Sequence, residues 1–255
     1  MAVILVVLGM FQVNQKKSGD LAKTASNMVS SANGKTDAEY PATKLDLTNW
    51  KITLPVDKDR NNAADEVKQP QLHTLSYPPY FMLTPDGVAF RAYADGATTD
   101  NSGYPRSELR EMTDGGQKKA SWSSTEGSHS MTIEEAVTHL PDVKHEVVAG
   151  QIHDASDDII MIRLEGTHLF VEANGKNIGD LNPNYSLGKK FVVKITAENG
   201  KINVFYDNVQ KVTYDKSGTG YYFKAGCYTQ TNTSRGDPAS SYGEVVIYDL
   251  EVSHT

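Results

Sequence analysis

The stretch "KKFVVKITAENGKINVFYDNVQKVTY", residues 189–214, contains the clearest strand pattern in the chain. Apolar and polar residues alternate on both sides of Asn199-Gly200, and this alternation is typical of strands with one buried face. Asn-Gly is the pair that tight type I′ turns prefer, because both turn residues need a positive φ. The stretch therefore predicts an antiparallel hairpin that turns at Asn199-Gly200.

The same pattern recurs from Leu45 to the end of the chain. "GVAFRAYA" (87–94), "SMTIEEAV" (130–137) and "GEVVIYDLEVS" (243–253) also alternate, while residues 157–165 and 168–176 form two further strand-like runs. Sustained 3.6-residue periodicity, the pattern of helices, is hard to find. Many short strands separated by turn residues predict an all-β fold, an antiparallel β-sandwich or barrel, in a single domain.

Composition narrows the possible partners. The 255 residues carry a formal net charge of −7, so nucleic acid is not an expected partner, because phosphate binding needs a basic surface. An acidic ligand would need a local basic cluster. The single cysteine, Cys227, excludes an internal disulfide, and the histidines outside the segments discussed below share no ligand spacing. We therefore expect no metal site and no cofactor.

The N-terminal residues indicate the cellular location of the protein. "MAVILVVLGMF" (1–11) has the length of a signal-peptide core and is too short to span a bilayer. The polar stretch that follows is typical of a linker. We expect residues 1–40 to be a leader and linker, residues 41–255 to be the folded domain, and the protein to be secreted or periplasmic with no membrane-spanning segment.

Three segments place polar side chains on one face of a strand, because residues two apart share a face. In "EVVAGQIHD" (146–154), Gln151 and His153 share a face with Val147 and Ala149, while Ile152 points the other way. In "YPRSELREM" (104–112), the shared set is Arg106, Glu108 and Arg110. A solvated strand with cross-linked charges is an ordinary alternative for the second segment.

The third segment, "YYFKAGCYTQ" (221–230), has a polar face and an apolar face. The polar face holds Tyr222, Lys224, Gly226, Tyr228 and Gln230. Gly226, with no side chain, is expected to allow close approach of a ligand, and Cys227 on the apolar face is expected to be buried and inert. If the three strands are neighbours, their polar faces form one basic, hydrogen-bonding groove. Periodicity predicts the faces and does not show that the strands are adjacent.

Together these segments resemble a known family. "RSELR", "QIH" and "YFKAGCYTQ", in this order, are similar to the signature regions of the alginate lyases of polysaccharide lyase family 7. "LDLTNWKITLP" near the domain start and "VVIYDLEVSH" near the end resemble that family's end strands. The resemblance covers roughly residues 41–255. It implies a β-jelly roll with a concave cleft for the acidic polysaccharide alginate, and we expect the protein to be a monomer.

The resemblance also implies roles for individual residues. Four positions match catalytic residues: Arg106, Gln151 and His153 at the uronate carboxylate, and Tyr228 as the catalytic tyrosine. A further set is expected to contact sugar or support the site: Glu108, Arg110, Tyr222, Lys224 and Gln230. The isoleucine of "QIH" is associated in this family with guluronate-containing substrate.

The implied reaction, β-elimination, suits these residue types. Removing the C5 proton of a uronate adds negative charge beside a carboxylate, so a cation and hydrogen-bond donors must stabilise it. Arg106 and Gln151 would do so, His153 or Tyr228 would take the proton, and Tyr228 would protonate the departing oxygen. We expect an endo-acting lyase that prefers guluronate-containing regions and produces a C4–C5 unsaturated non-reducing end.

Two other functions are compatible with a sandwich of this kind. A glycoside hydrolase would need two carboxylates about 5–9.5 Å apart, and the three polar faces offer only Glu108. A non-catalytic uronan-binding module could use the same basic groove without needing tyrosine, histidine, glutamine and arginine together.

Overall fold

Sixteen strands form most of the molecule, a computed structural model that describes residues 39–100 and 102–255. The strands are β1 (Trp50–Thr53), β2 (Glu66–Val67), β3 (Phe81–Leu83), β4 (Val88–Tyr93), β5 (Arg106–Thr113), β6 (Lys118–Lys119), β7 (Ser128–His139), β8 (Glu146–His153), β9 (Asp158–Glu165), β10 (His168–Ala173), β11 (Lys176–Asn182), β12 (Phe191–Glu198), β13 (Lys201–Tyr206), β14 (Val209–Asp215), β15 (Tyr222–Thr229) and β16 (Tyr242–His254). Three short 3₁₀ helices accompany them, at Pro41–Thr43, Gln71–Thr74 and Thr233–Arg235.

The predicted leader and most of the predicted linker lie outside the described residues, which begin at Glu39. In the part of the chain that the structure describes, no helix is long and apolar enough to cross a membrane.

The strands form two antiparallel sheets. The first, sheet A, has the order β11-β10-β9-β8-β15-β5-β1-β2, with β6 paired to β5. The second, sheet B, has the order β14-β13-β12-β7-β16-β4-β3. Neighbours in space are often distant in sequence, as when β15 lies between β8 and β5. The predicted all-β antiparallel sandwich is confirmed.

The predicted hairpin is present and turns where expected. β12 pairs with β13 from Val193 opposite Tyr206 to Glu198 opposite Lys201. Between them Asn199 and Gly200 have φ values of 51° and 71°, as a type I′ turn requires. A second turn of this kind, at Asp207-Asn208 with φ values of 48° and 65°, leads into β14.

A continuous apolar core fills the space between the sheets. Leu109, Ile152 and Phe223 of sheet A and Phe90 and Ile133 of sheet B belong to it, and each of the five is fully buried. Burying one large apolar side chain contributes about 1.5–3 kcal/mol. The core therefore fixes which face of each sheet A strand is left for a site.

One predicted face in β8 is wrong in its first half. Val147 and Ala149 lie in the core cluster and not beside Gln151 and His153. The cause is a bulge, because the register between β8 and β9 shifts between Val148 and Gly150. A bulge adds one residue to one strand and reverses the alternation beyond it. Only the residues after the bulge follow the predicted facing.

Sheet B buries a carboxyl group that forms no hydrogen bond within the part of the chain that the structure describes. Strict alternation in β7 places Glu135 on the face that Met131 and Ile133 also use, and all three are fully buried. Among the described residues, neither carboxyl oxygen of Glu135 has a hydrogen-bond partner. Burial raises the pKa of Glu135 from 4.5 to about 8, so the group is held neutral in the folded protein.

This group should make folding stability decrease with pH. The unfolded chain releases the Glu135 proton near 4.5 and the folded chain near 8, so the folded state holds more protons between these values. Stability from this group is therefore lost as pH rises through that window, by roughly 5 kcal/mol at about 1.4 kcal/mol per pH unit. Glu135→Gln should unfold at a lower denaturant concentration than wild type at pH 5, because the amide buries one more unsatisfied donor hydrogen than the neutral carboxyl group, and at a higher one at pH 8.

Urea denaturation at pH 5, 6.5 and 8 measures this crossover. Glu134→Gln, a change at the adjacent half-buried position, is the matched control and should leave the pH slope unchanged. Parallel slopes for wild type and Glu135→Gln would contradict the prediction.

Candidate active site

The three polar segments are adjacent strands of sheet A. β15 lies between β8 and β5, and Lys224 is opposite Gln151 on one side and Arg110 on the other. Tyr222 is opposite His153, and Tyr228 is opposite Arg106. The adjacency that periodicity left open is therefore established by the register.

An open cleft of about 1090 Å³ lies over these strands. Seven of the nine predicted site residues line it: Arg106, Arg110, Gln151, His153, Tyr222, Lys224 and Tyr228. The two that do not are Glu108, which lies beneath the cleft floor, and Gln230.

The Glu108 carboxylate lies beneath the cleft floor and accepts hydrogen bonds from three cleft residues. Its side chain is 1% exposed, and it accepts hydrogen bonds from Lys224 Nζ (2.6 Å), Arg106 Nη1 (3.2 Å) and Gln151 Nε2. Burial by itself would raise the pKa of Glu108, but the charges of Lys224 and Arg106 and the donated hydrogen bonds outweigh it and lower that pKa. Glu108 is therefore an anion that orients three cleft residues.

Lys224 is a buried cation. Burial lowers the pKa of Lys224 to about 8, against the opposing attraction of Glu108, and Arg106 lowers it further. Two cations share one carboxylate here, so the floor keeps a surplus positive charge. Such a surplus suits a ligand that carries a carboxylate.

The hydrogen bonds of His153 define its tautomer. Nδ1 lies 2.6 Å from the carbonyl oxygen of Asp154, which can only accept, so Nδ1 carries the proton. The hydroxyl of Tyr222 is 3.2 Å from the same nitrogen. Burial, followed by the charge of Lys224, lowers the pKa of His153. At neutral pH the ring is therefore neutral, and Nε2 is the unprotonated nitrogen.

Tyr228 is held by Arg106 and by a serine in the loop before β5. The Arg106 guanidinium carbon lies 3.7 Å above the centre of the Tyr228 ring, a cation–π contact. Ser102 Oγ is 3.1 Å from the Tyr228 hydroxyl and 2.9 Å from Arg106 Nη2. Ser102 precedes β5 in a loop, so no strand pattern in the sequence predicts it as a site residue.

Arg110 and Tyr222 form a second stacked pair. The guanidinium carbon of Arg110 lies 3.8 Å above the Tyr222 ring, and its Nη2 donates to the carbonyl of Ala120 (3.2 Å). Burial raises the pKa of Tyr222, partly offset by Arg110. Tyr222 therefore packs against Arg110 and also lines the cleft.

Two predictions for β15 have different outcomes. Cys227 is fully buried, as predicted, and burial raises the pKa of its thiol to about 12. The explanation for Gly226 is wrong. Its φ is 135°, and a Cβ there would lie 2.7 Å from the backbone oxygen of Ser107 and 3.0 Å from the Phe90 ring. Glycine is required by this backbone and by packing toward the core, not by a ligand.

Gln230 is the site prediction that the structure does not bring to the cleft. It lies just beyond the end of β15, is 7% exposed, and its backbone N–H donates to the carbonyl of Glu146. Its Nε2 has no hydrogen-bond partner among the described residues. The alternation that placed it beside Tyr228 ends with the strand.

The polar faces of the three strands form a basic floor, as predicted, and acidic residues line the rest of the cleft together with Lys58 and Lys119. The strands β1, β5 and β15 supply the floor cations Lys51, Arg106, Arg110 and Lys224. The lining acids are Asp59, Asp65, Glu66, Asp100, Asp157 and Asp158. Lys51 was missed, although alternation in "NWKIT" would have placed it on the polar face, and it pairs with Glu66.

Three rim carboxylates lie close together. One oxygen from each of Asp57, Asp59 and Asp65 lies within 4.8 Å of the others, the only described group whose spacing could hold a metal ion. Backbone N–H groups of Lys58, Asn61 and Asn62 already donate to these carboxylates. The cluster explains the shape of the rim loop.

Comparison with known proteins identifies the family. A family model described as alginate lyase matches residues 45–254. The solved alginate lyase AlgAT5 from polysaccharide lyase family 7 is 54% identical, with 86% of this chain and 100% of that chain covered and a TM-score of 0.83. The chain belongs to the family 7 alginate lyases.

Two other relatives support the assignment to this family. An alginate lyase from Corynebacterium sp. is 46% identical, covering 85% of this chain and 98% of that chain with a TM-score of 0.82. An alginate lyase from Klebsiella pneumoniae is 27% identical over 286 residues, or 84% of this chain and 91% of the relative. The family and the jelly-roll fold that the resemblance implied are confirmed, and the lyase acts on alginate.

Proposed function

We propose that this lyase cleaves alginate within the chain by β-elimination and prefers guluronate-containing regions. The observation that carries the proposal is the buried Glu108 network, which holds Arg106 and Gln151 beside a neutral His153 and near Tyr228. These are the groups that elimination next to a carboxylate needs, and they line one cleft.

Arg106 and Gln151 act at the carboxylate of the sugar that loses its C5 proton. As the proton leaves, negative charge spreads into that carboxylate. The Arg106 charge and the Gln151 amide stabilise it, and both are already oriented by Glu108, so little reorganisation is needed. Lys224 keeps the floor positive, which favours binding of the charged ligand.

His153 and Tyr228 move the protons. Nε2 of neutral His153 accepts the C5 proton, and the Tyr228 hydroxyl donates a proton to the departing glycosidic oxygen. For the other sugar epimer, Tyr228 also removes the C5 proton. The C4–O bond breaks, the C4–C5 double bond forms, and no water is consumed.

Endo action is supported by the shape of the cleft. Its lining extends from Glu66 on β2 to Asp158 on β9, across six neighbouring strands. At about 4.8 Å between strands, this is roughly 24 Å, enough for several sugar units. Guluronate preference rests on Ile152 in the "QIH" triplet. The family 7 alginate lyase A1-II′, 27% identical to this chain, has been solved with the substrate GGMG.

We also propose that the lyase is secreted or periplasmic and works as a monomer. The apolar run at residues 1–11 supports export. A polymeric substrate also favours an enzyme outside the cell.

Ultraviolet absorbance of the new double bond tests the reaction and the preference together. The absorbance should rise with alginate, and faster with guluronate blocks than with mannuronate blocks. Tyr228→Phe should lower kcat by at least about 100-fold, the usual contribution of a general acid or base. New reducing ends without absorbance would mean hydrolysis, and binding with neither would mean a non-catalytic module. Faster cleavage of mannuronate blocks would show that the preference is wrong.

The pH profile of kcat/KM should have two limbs. Activity should rise as His153 loses its proton, below the ordinary histidine value of about 6.5, because its pKa is lowered by burial and Lys224. It should fall as Lys224 loses its proton near pH 8, because the floor then loses a cation. A profile that is flat from pH 5 to pH 9 would contradict both assignments.

Two variants test which residue causes each limb of the pH profile. Lys224→Arg keeps the charge at high pH and should move the alkaline limb upward while leaving the acid limb in place. Asp158, whose pKa burial and Asp157 raise to about 6, also titrates in this interval at the cleft rim. Asp158→Asn should therefore retain the acid limb if His153 is its source.

A further inference from the structure

Ser102 lies between two groups of the proposed catalytic machinery. Its Oγ is 2.9 Å from Arg106 Nη2 and 3.1 Å from the Tyr228 hydroxyl. It is also 3.3 Å from the backbone nitrogen and 3.2 Å from the carbonyl oxygen of Tyr104. No other described side chain forms a hydrogen bond with the Tyr228 hydroxyl.

The number of donors around Ser102 determines where its own hydrogen points. Arg106 Nη2 and the Tyr104 N–H can only donate, so Ser102 Oγ accepts from both. A hydroxyl has two acceptor lone pairs and one hydrogen, and both lone pairs are then occupied. The hydrogen of Ser102 is left for the Tyr228 oxygen or for the Tyr104 carbonyl.

We propose that Ser102 is a positioning residue that donates a hydrogen bond to the Tyr228 oxygen and transmits the Arg106 charge to it. This inference rests on the proposed role of Tyr228. When Tyr228 gives up its proton, its oxygen becomes negative. A hydroxyl that already accepts from a guanidinium is a stronger donor to that oxygen, because linked hydrogen bonds polarise one another.

The fold places Ser102 for this contact. The loop before β5 is tied to the loop after β15, because Asn232 Nδ2 donates to the carbonyl of Gly103 (2.8 Å). The Arg235 guanidinium carbon lies 5.5 Å from the centre of the Tyr104 ring. Two loops whose contact spans 129 residues of sequence therefore hold the serine beside Tyr228.

Replacing the hydroxyl tests the inference. Ser102→Ala should lower kcat on alginate by about 10- to 100-fold, the effect of one hydrogen bond to a charged group, with KM within about twofold of wild type. Ser102→Thr, which keeps a hydroxyl, should recover most of the loss. Ser186→Ala, at an exposed serine outside the cleft, is the control and should match wild type. Thermal unfolding of each variant checks that the fold is intact.

A binding measurement separates positioning from substrate contact. In a Tyr228→Phe background, adding Ser102→Ala should leave the Kd for an alginate oligosaccharide unchanged by calorimetry. A wild-type kcat in Ser102→Ala, no recovery in Ser102→Thr, or a weakened Kd would each overturn the proposal. If Tyr228→Phe itself keeps wild-type activity, the proposed role of Tyr228 fails first. If only the Ser102 variants behave as wild type, the proposed function stands without this residue.

Discussion

Three hydrogen-bond donors converge on the buried carboxylate of Glu108, and the geometry of the cleft floor depends on this interaction. Lys224 and Arg106 both donate to Oε2, while Gln151 donates to Oε1. Away from water, each charge is costly unless it is paired. Glu108 therefore offsets part of the cost of burying two cations and still leaves one positive charge in excess. That excess matches one carboxylate of the substrate.

The sandwich supplies this arrangement through register and not through sequence proximity. Arg106, Gln151 and Lys224 come from β5, β8 and β15, which the topology makes neighbours although β15 is more than 60 residues later than β8. Both strand pairs that involve β8 contain a register shift, before Gln151 in one and after Ala225 in the other. These irregularities let the strands bury apolar residues at one end and present polar ones to the cleft at the other.

Much of the fold and part of the site could be predicted from the sequence, for a physical reason. Alternation has a fixed period inside a regular strand, so the hairpin at Asn199-Gly200 and the facing of Arg106 and Lys224 were correct. Alternation fails at a bulge and beyond a strand end, which is why the facing predicted for Val147 was wrong and why Gln230 does not line the cleft. Ser102 lies in a loop, where no periodicity exists, and only the three-dimensional contacts identify it. Alternation also predicts that Glu135 is buried. It does not predict that the carboxyl group lacks a hydrogen-bond partner among the described residues.

Acidic residues border the basic floor of the cleft. Asp157 and Asp158 at one end and the Asp57–Asp65 loop at the other border the floor cations. A polyanionic chain is attracted to these floor cations, and Lys58 and Lys119 add positive charge among the acidic lining residues. This distribution places the attraction where the Glu108 network is, over the residues proposed to do the chemistry.

The kinetics of Glu108→Gln test the central claim most directly. The change keeps the shape of the side chain and removes the charge that holds Arg106, Lys224 and Gln151. The account predicts that kcat/KM on alginate falls by at least about 100-fold. It also predicts that Glu108→Gln combined with Lys224→Met, which restores the charge balance, regains stability without regaining activity. A Glu108→Gln enzyme with kcat/KM within a few-fold of wild type would contradict the account.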